Sequence, residues 1–230
     1  MKKITVKNLI EFRGKSQRSK ITFVNNLKRE KKKSEDSSGG GDYWIICLSA
    51  IRNTFRSGNK DLLDNKIEEF NTKIQFTKDK RIINQYQRNI DILINFKEYD
   101  LESIQPTSEL NFLKQTKAKS ILDINGLPIE AKPCFIYTFS EKGSEEIGGV
   151  WFIAKIKGFK KSELGMFTDI LYRYLVEHYS DDYYVNPNYC IAVDLFNAQE
   201  VSYQSIEDKD ISILIDSTLE DFKNVNNLKN

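Results

Sequence analysis

An α+β fold is expected from this chain on three observations. Three successive segments between residues 42 and 119 carry apolar residues at helical spacing. An Asn125-Gly126 turn then shifts the period to that of strands, and one long amphipathic stretch from Ser162 to His178 interrupts the strands that follow. The expected architecture is a basic N-terminal arm, a three-helix segment, and a mixed β-sheet packed on one long helix. As domains, this reads as a basic arm and Gly/Ser linker at 1–41, a helical subdomain at 42–119 and an α/β subdomain at 120–230, the last two able to form one composite unit.

Each element has its own warrant. Trp44, Cys47, Leu48, Ile51 and Phe55 fall on one helical face, with Asp42 placed as N-cap and Ser57-Gly58-Asn59 as the break. Leu63, Ile67, Phe70 and Ile74 form a second stripe; Ile83, Tyr86, Ile90, Leu93 and Ile94 form a third. Residues 121–131 around Asn125-Gly126 predict a hairpin with a type I′ turn. Pro133–Phe139 and Val150–Lys157 read as strands, with a polar loop over 141–149 between them. Leu164, Phe167, Leu171, Tyr174, Leu175 and His178 share the apolar face of the long helix. Tyr189–Phe196 is nearly continuous apolar, as in a buried central strand. Val201–Ser205 is expected to pair with it, Ile211–Ile215 to form a short strand, and the tail from Phe222 to fray.

Composition narrows the class. With 230 residues, 40% hydrophobic and 30% charged, the chain can bury a core, and no apolar run approaches the ~20 residues of a membrane span. Cys47, Cys134 and Cys190 are widely spaced and form no CxxC, which argues against a disulfide framework. No apolar stretch follows the basic N-terminus as in a secretory signal. The expected setting is cytoplasmic, and the scarcity of Ala beside abundant Lys, Asn and Ile suggests a bacterial, AT-rich source.

Charge is the strongest functional hint. Residues 1–33 hold twelve Lys/Arg against Glu11 and Glu30, a local net of +10, whereas residues 120–230 net −8. Arg13, Lys15, Arg18, Lys20, Lys28, Arg29, Lys31, Lys32 and Lys33 are therefore the candidate nucleic-acid-binding residues, with Phe12, Phe23, Asn25 and Asn26 available for stacking or base contacts. An alternative is that the arm docks on acidic protein, including this chain's own C-terminal part. The Ser37-Ser38-Gly39-Gly40-Gly41 stretch lacks a preceding strand and a Gly-Lys-Ser/Thr, so it reads as a linker rather than a phosphate loop.

Catalytic patterns are sparse. Asp123 and the run Glu130-Ala131-Lys132 spell D-x6-E-x-K, with Asp123 opposite Pro128 and Glu130 its diagonal neighbour on the same face. Alternatively, Pro133-Cys134 and Lys155-Ile156-Lys157 occupy the corresponding places. Residues 120–205 thus resemble the PD-(D/E)XK nuclease fold in strand and helix order. That resemblance implies Mg²⁺ held by Asp123 and Glu130 with Lys132 assisting the attacking water under the first placement, and a degenerate, non-cutting member under the second, where both acids are gone. No metal site and no cofactor are otherwise expected. Arg173 and His178 form an R-x4-H spacing that is similar to that of HEPN ribonucleases, a family whose core is all-helical, whereas strands flank this helix.

Tyr172, Tyr174, Tyr179, Tyr183, Tyr184 and Tyr189 concentrate after the long helix and point to a protein-partner surface at 172–189. Trp44 and Trp151 are expected in the core. The function these features favour is a nucleic-acid-associated accessory subunit without its own catalysis, of the kind found in bacterial defence or mobile-element systems. The alternatives are a Mg²⁺-dependent nuclease and a protein-interaction or immunity factor.

Overall fold

The computed structural model describes residues 3–29, 43–114, 120–141 and 143–227. Its N-terminal segment is folded: strand β1 (Ile4–Thr5) leads into helices α1 (Val6–Arg13) and α2 (Gln17–Lys28). Thr5 caps α1 reciprocally, its Oγ1 accepting from Asn8 N at 3.1 Å while Asn8 Oδ1 accepts from Thr5 N at 3.0 Å. Ile4, Val6, Leu9, Ile10, Phe12 and Val24 are buried in the core. The sequence reads here as a basic arm set apart from the subdomains, and the reason for the difference is physical. The lysines are interleaved with an apolar stripe, and each fully buried aliphatic or aromatic side chain contributes roughly 1.5–3 kcal/mol, more than exposed charge repulsion opposes. Phe12 and Phe23 accordingly belong to the interior side of this segment, with Phe12 packed on Phe222 at 5.0 Å.

The three expected helices follow as α3 (Ile45–Ser57), α4 (Asp61–Phe76) and α5 (Lys80–Lys97). Gly58 ends α3 at φ 71°, a left-handed conformation that glycine adopts without a side-chain clash. The chain continues through a 3-10 turn at Leu101–Ile104, β2 (Asn111–Phe112), β3 (Ile121–Ile124), β4 (Leu127–Glu130), β5 (Phe135–Glu141) and β6 (Ser144–Ile153). It ends with α6 (Lys161–Tyr179), β7 (Tyr184–Asp194), β8 (Gln199–Ser202), the short α7 (Gln204–Glu207) and α8 (Ile215–Asn227).

Two sheets result, a small one ordered β1-β4-β3 and a larger one ordered β2-β5-β6-β7-β8. The β3–β4 hairpin turns at Asn125 (φ 55°) and Gly126 (φ 77°), and pairs Asp123 with Pro128 as its spacing predicts. In the large sheet β6 and β7 run parallel, joined by α6, while the other neighbours are antiparallel. Alternate residues separate to opposite faces. Tyr137, Val150, Phe152, Ile191 and Val193 meet α3–α5, and Ile136, Ile153, Cys190 and Ala192 meet α1, α6 and α8. The ring of Phe55 on α3 lies 5.4 Å from Phe135 and 5.2 Å from Phe152, so the helical segment and the sheet share one core.

Four local expectations change. The predicted loop over 141–149 belongs mostly to β6, because Gly148 and Gly149 serve close packing rather than a bend. A Cβ on Gly148 would lie 2.7 Å from Tyr189 Cβ and one on Gly149 2.8 Å from Phe135 O. Asn186-Pro187-Asn188 lies inside β7 as an irregularity, with pairing passing from Ile147↔Val185 to Gly149↔Cys190. Residues 211–214 form no strand. Residues 222–227 of the tail belong to α8, whose Leu219, Phe222 and Val225 are buried against the N-terminal helices. No helix among the described residues is long and apolar enough to cross a membrane.

Candidate nucleic-acid interface

The predicted basic residues divide by orientation. Lys20 pairs with Asp221 of α8 and lies 4.9 Å from the centre of the Phe12 ring. Arg13 Nη1 donates to Thr218 Oγ1 at 2.8 Å, and Lys15 pairs with Glu11 at 2.9 Å. Part of the basic segment is thus docked on the chain's own acidic C-terminal helix. Arg18, Lys28 and Arg29 stand exposed. Along α2, Arg18, Thr22 and Asn26 share the outer face with Arg29 just beyond it, and no acid falls among them. Lys31, Lys32, Lys33, the Gly/Ser stretch and Asp42 lie outside the described residues.

The two acids of the D-x6-E-x-K pattern share one face of the β3–β4 hairpin, but both are engaged. Asp123 Oδ1 accepts from Gly126 N at 2.7 Å and so fastens the hairpin turn. Glu130, on the same face, accepts from Lys3 at 2.6 Å and lies 2.5 Å from Lys132. Burial would raise the Glu130 carboxyl, but hydrogen bonds from Lys132 and Lys3 overcome this and hold it below the usual range. With one acid fastened to a turn and the other facing two ammonium groups, these side chains as placed do not fit a magnesium site. Among the described residues no group of three His, Cys, Asp or Glu gathers in the manner of metal ligands.

A different constellation forms a cleft of about 800 Å³ beyond the C-terminal end of β6. Its walls come from α1 (Lys7, Ile10), the start of α3 (Tyr43, Trp44), the segment after β6 (Lys155, Phe159) and the first turn of α6 (Glu163). Such a position, outside the carboxyl ends of parallel strands and beside the crossover helix, is where α/β sheets commonly bind ligands. The segment after β6 is held firmly. Buried Asp194, ending β7, accepts from Phe159 N at 2.7 Å, Phe196 N at 3.1 Å and Asn197 Nδ2 at 2.9 Å, while Gln199 Nε2 donates to Phe159 O at 2.7 Å. Gly158, at φ 66°, admits no side chain, since a Cβ there would collide with Asn197 and Asp194. On the opposite wall Tyr43 is fixed by α5, its hydroxyl accepting from Arg88 at 2.9 Å and its carbonyl from Asn89 at 3.1 Å. Trp44 lies edge-on to it at 4.4 Å.

The carboxylates of the cleft already have partners. Glu11 pairs with Lys15, and Glu163 Oε2 accepts from Lys160 N at 2.9 Å, which closes the N-terminus of α6. Lys155 Nζ lies 3.9 Å from Glu163 and 4.9 Å from the centre of the Phe159 ring. Lys7 has no ion-pair partner among the described residues. Although exposed as a whole residue, its ammonium is crowded enough that burial lowers its pKa; nearby Cys134 opposes this and the charge of Lys155 adds to it. Sequence reasoning missed Lys7, Tyr43 and Phe159 and placed Trp44 in the core. The one signal present was Lys155-Ile156-Lys157 closing an apolar strand.

Two further patterns resolve differently. Arg173 bonds Asp169 at 2.7 Å and Asp216 of α8 at 2.8 Å, so its guanidinium joins two elements, while His178 packs edge-on to Tyr174 at 4.8 Å. The tyrosines do not form one surface. Tyr174 is in the core, Tyr189 meets Phe139 on the other side of the sheet, and Tyr172 stacks on Tyr203 at 3.8 Å. Tyr184 is 58% exposed, beside exposed Val176, Asp181 and Asp182.

Comparison with protein-family models, curated proteins and solved structures gives no match to this chain in any of the three.

Proposed function

We propose that this chain is a nucleic-acid-associated accessory subunit that holds a phosphate backbone without cutting it, as in bacterial defence or mobile-element complexes. The observation that carries the reading is the acid-free outer face of α2. Arg18 and Arg29 are eleven residues apart, about 16 Å along a helix, which is several nucleotides of duplex at about 3.4 Å each. These cations and Lys28 remain exposed while their neighbours Lys20 and Arg13 are engaged with α8. A non-cutting role is supported by the engagement of Asp123 with its own turn and of Glu130 with Lys3 and Lys132. It is also supported by Cys134 and Lys155, which stand where the PD-(D/E)XK resemblance would place metal-holding acids. The exposed Tyr184 side of the molecule is the surface offered to a protein partner.

The test is fluorescence anisotropy and cleavage of labelled single- and double-stranded DNA and RNA, with Mg²⁺ and with EDTA. Salt-sensitive binding without cleavage is expected. Absence of binding at low salt would overturn the reading, and Mg²⁺-dependent cutting abolished by Glu130→Gln would establish the nuclease alternative in its place.

A further inference from the structure

The cleft beyond β6 combines features that the outer face of α2 does not have. Lys7 and Lys155 both line the cleft; Glu11 is paired with Lys15, and Glu163, whose Oε2 accepts from Lys160 N, gives Lys155 only a long contact of 3.9 Å. Lys7 has no ion-pair partner among the described residues and Lys155 only this long one, so positive charge beside an apolar wall is left incompletely answered. A dianion suits this position better than a single carboxylate, because it answers both charges at once. Ile10 and Phe159 supply apolar lining, and Trp44 presents a partly exposed indole at the same opening. Stacking on such a ring is favourable for any nucleobase. The volume falls within the roughly 300–1,000 Å³ range of small-molecule sites.

We propose that this cleft binds a single phosphorylated nucleoside, with Lys7 and Lys155 on its phosphate and Trp44 against its base. The inference deepens the nucleic-acid reading and takes its choice of aromatic phosphate from it. The helix N-terminus of α6 has no part in holding the anion, since Glu163 already closes it. A free mononucleotide and the 5′-phosphorylated end of a strand share this chemistry.

Isothermal titration with AMP, adenosine and inorganic phosphate tests it on the full chain. AMP is expected to bind more tightly than either fragment alone. Lys7→Gln combined with Lys155→Gln is expected to weaken AMP by about tenfold or more, as loss of charge-assisted hydrogen bonds implies. Lys7→Arg should retain binding, and Trp44→Leu should weaken AMP while leaving inorganic phosphate unaffected. Circular dichroism confirms that each variant is folded. AMP affinity unchanged in the double lysine variant, or no AMP binding to the folded wild-type chain, would overturn the proposal. The two readings fail separately. AMP binding without oligonucleotide binding retains the cleft and removes the α2 surface. Oligonucleotide binding that depends on Arg18 and Arg29, with no response to AMP, does the reverse. Displacement of a 5′-phosphorylated oligonucleotide by AMP would identify a strand end as the occupant, and AMP binding without such displacement a free nucleotide.

Discussion

Lys3 and Lys7 are four residues apart in the chain, yet the fold places them in opposite electrostatic settings. Lys3, beside β1, closes with Lys132 on Glu130, and the hydrogen bond to that carboxylate raises its pKa. Lys7, the second residue of the adjoining helix, lines the cleft with Lys155 and has no ion-pair partner among the described residues, and burial lowers its pKa. The same residue type thus serves in one place to anchor a strand and in the other to leave positive charge in a cleft. A count of basic residues cannot make that distinction; the pairing geometry does. The split repeats on α2, where Lys20 faces inward to Asp221 and Arg18 faces outward.

The comparison can be broken or sharpened by substitution. The largest expected effect is at the cleft wall. Asp194→Ala would leave the Phe159 and Phe196 amides without their acceptor, and is expected to cost about 2–4 kcal/mol, measured as a lower denaturant midpoint. AMP binding should fall with it as the wall loosens.

At the anchoring pair, Glu130→Gln is expected to cost about 1 kcal/mol or less, discounted because both lysines are about half exposed. Because the folded-state Glu130 pKa lies below its unfolded value, the stability it adds is present above the unfolded pKa near 4.5 and is lost as pH falls through the depressed value. Unfolding curves of wild type and Glu130→Gln should therefore converge under acid and separate toward neutral pH. The smallest effect sharpens the comparison most. Lys3→Met is expected to lower stability by a few tenths of a kcal/mol, whereas Lys7→Met leaves it unchanged or raises it by at most about 0.5 kcal/mol, since solvent screens an exposed residue. Equal destabilisation by both variants would contradict the contrast.

Much of the fold was legible because its signals are local. The stripes of α3–α5 and the Asn125-Gly126 hairpin each need only a short window of sequence, and both appear where their spacing places them. Where burial competes with a conspicuous local feature, the reading failed. Lysine density hid the Val6-Leu9-Ile10 stripe of α1, and Gly148-Gly149 resembled a loop although the missing side chains make room for Tyr189 and Leu171. The tail was read as fraying because its Asn and Lys outnumber the buried Leu219, Phe222 and Val225. The cleft has no local signal beyond Lys155-Ile156-Lys157: Lys7, Trp44, Lys155 and Glu163 come from four separated segments, and only the tertiary fold brings them together.

The central claim is that the outward cations of the N-terminal segment hold phosphate and the inward ones hold the fold. The salt dependence of oligonucleotide affinity tests it most directly, compared among wild type, Arg18→Gln/Arg29→Gln and Lys20→Gln. Each phosphate contact contributes about 0.9 to the slope of log affinity against log salt on duplex DNA. The account predicts a slope shallower by about 1.8 for the outward pair and an unchanged slope for Lys20→Gln. Equal slopes in all three proteins, or a shallower slope for Lys20→Gln alone, would contradict it.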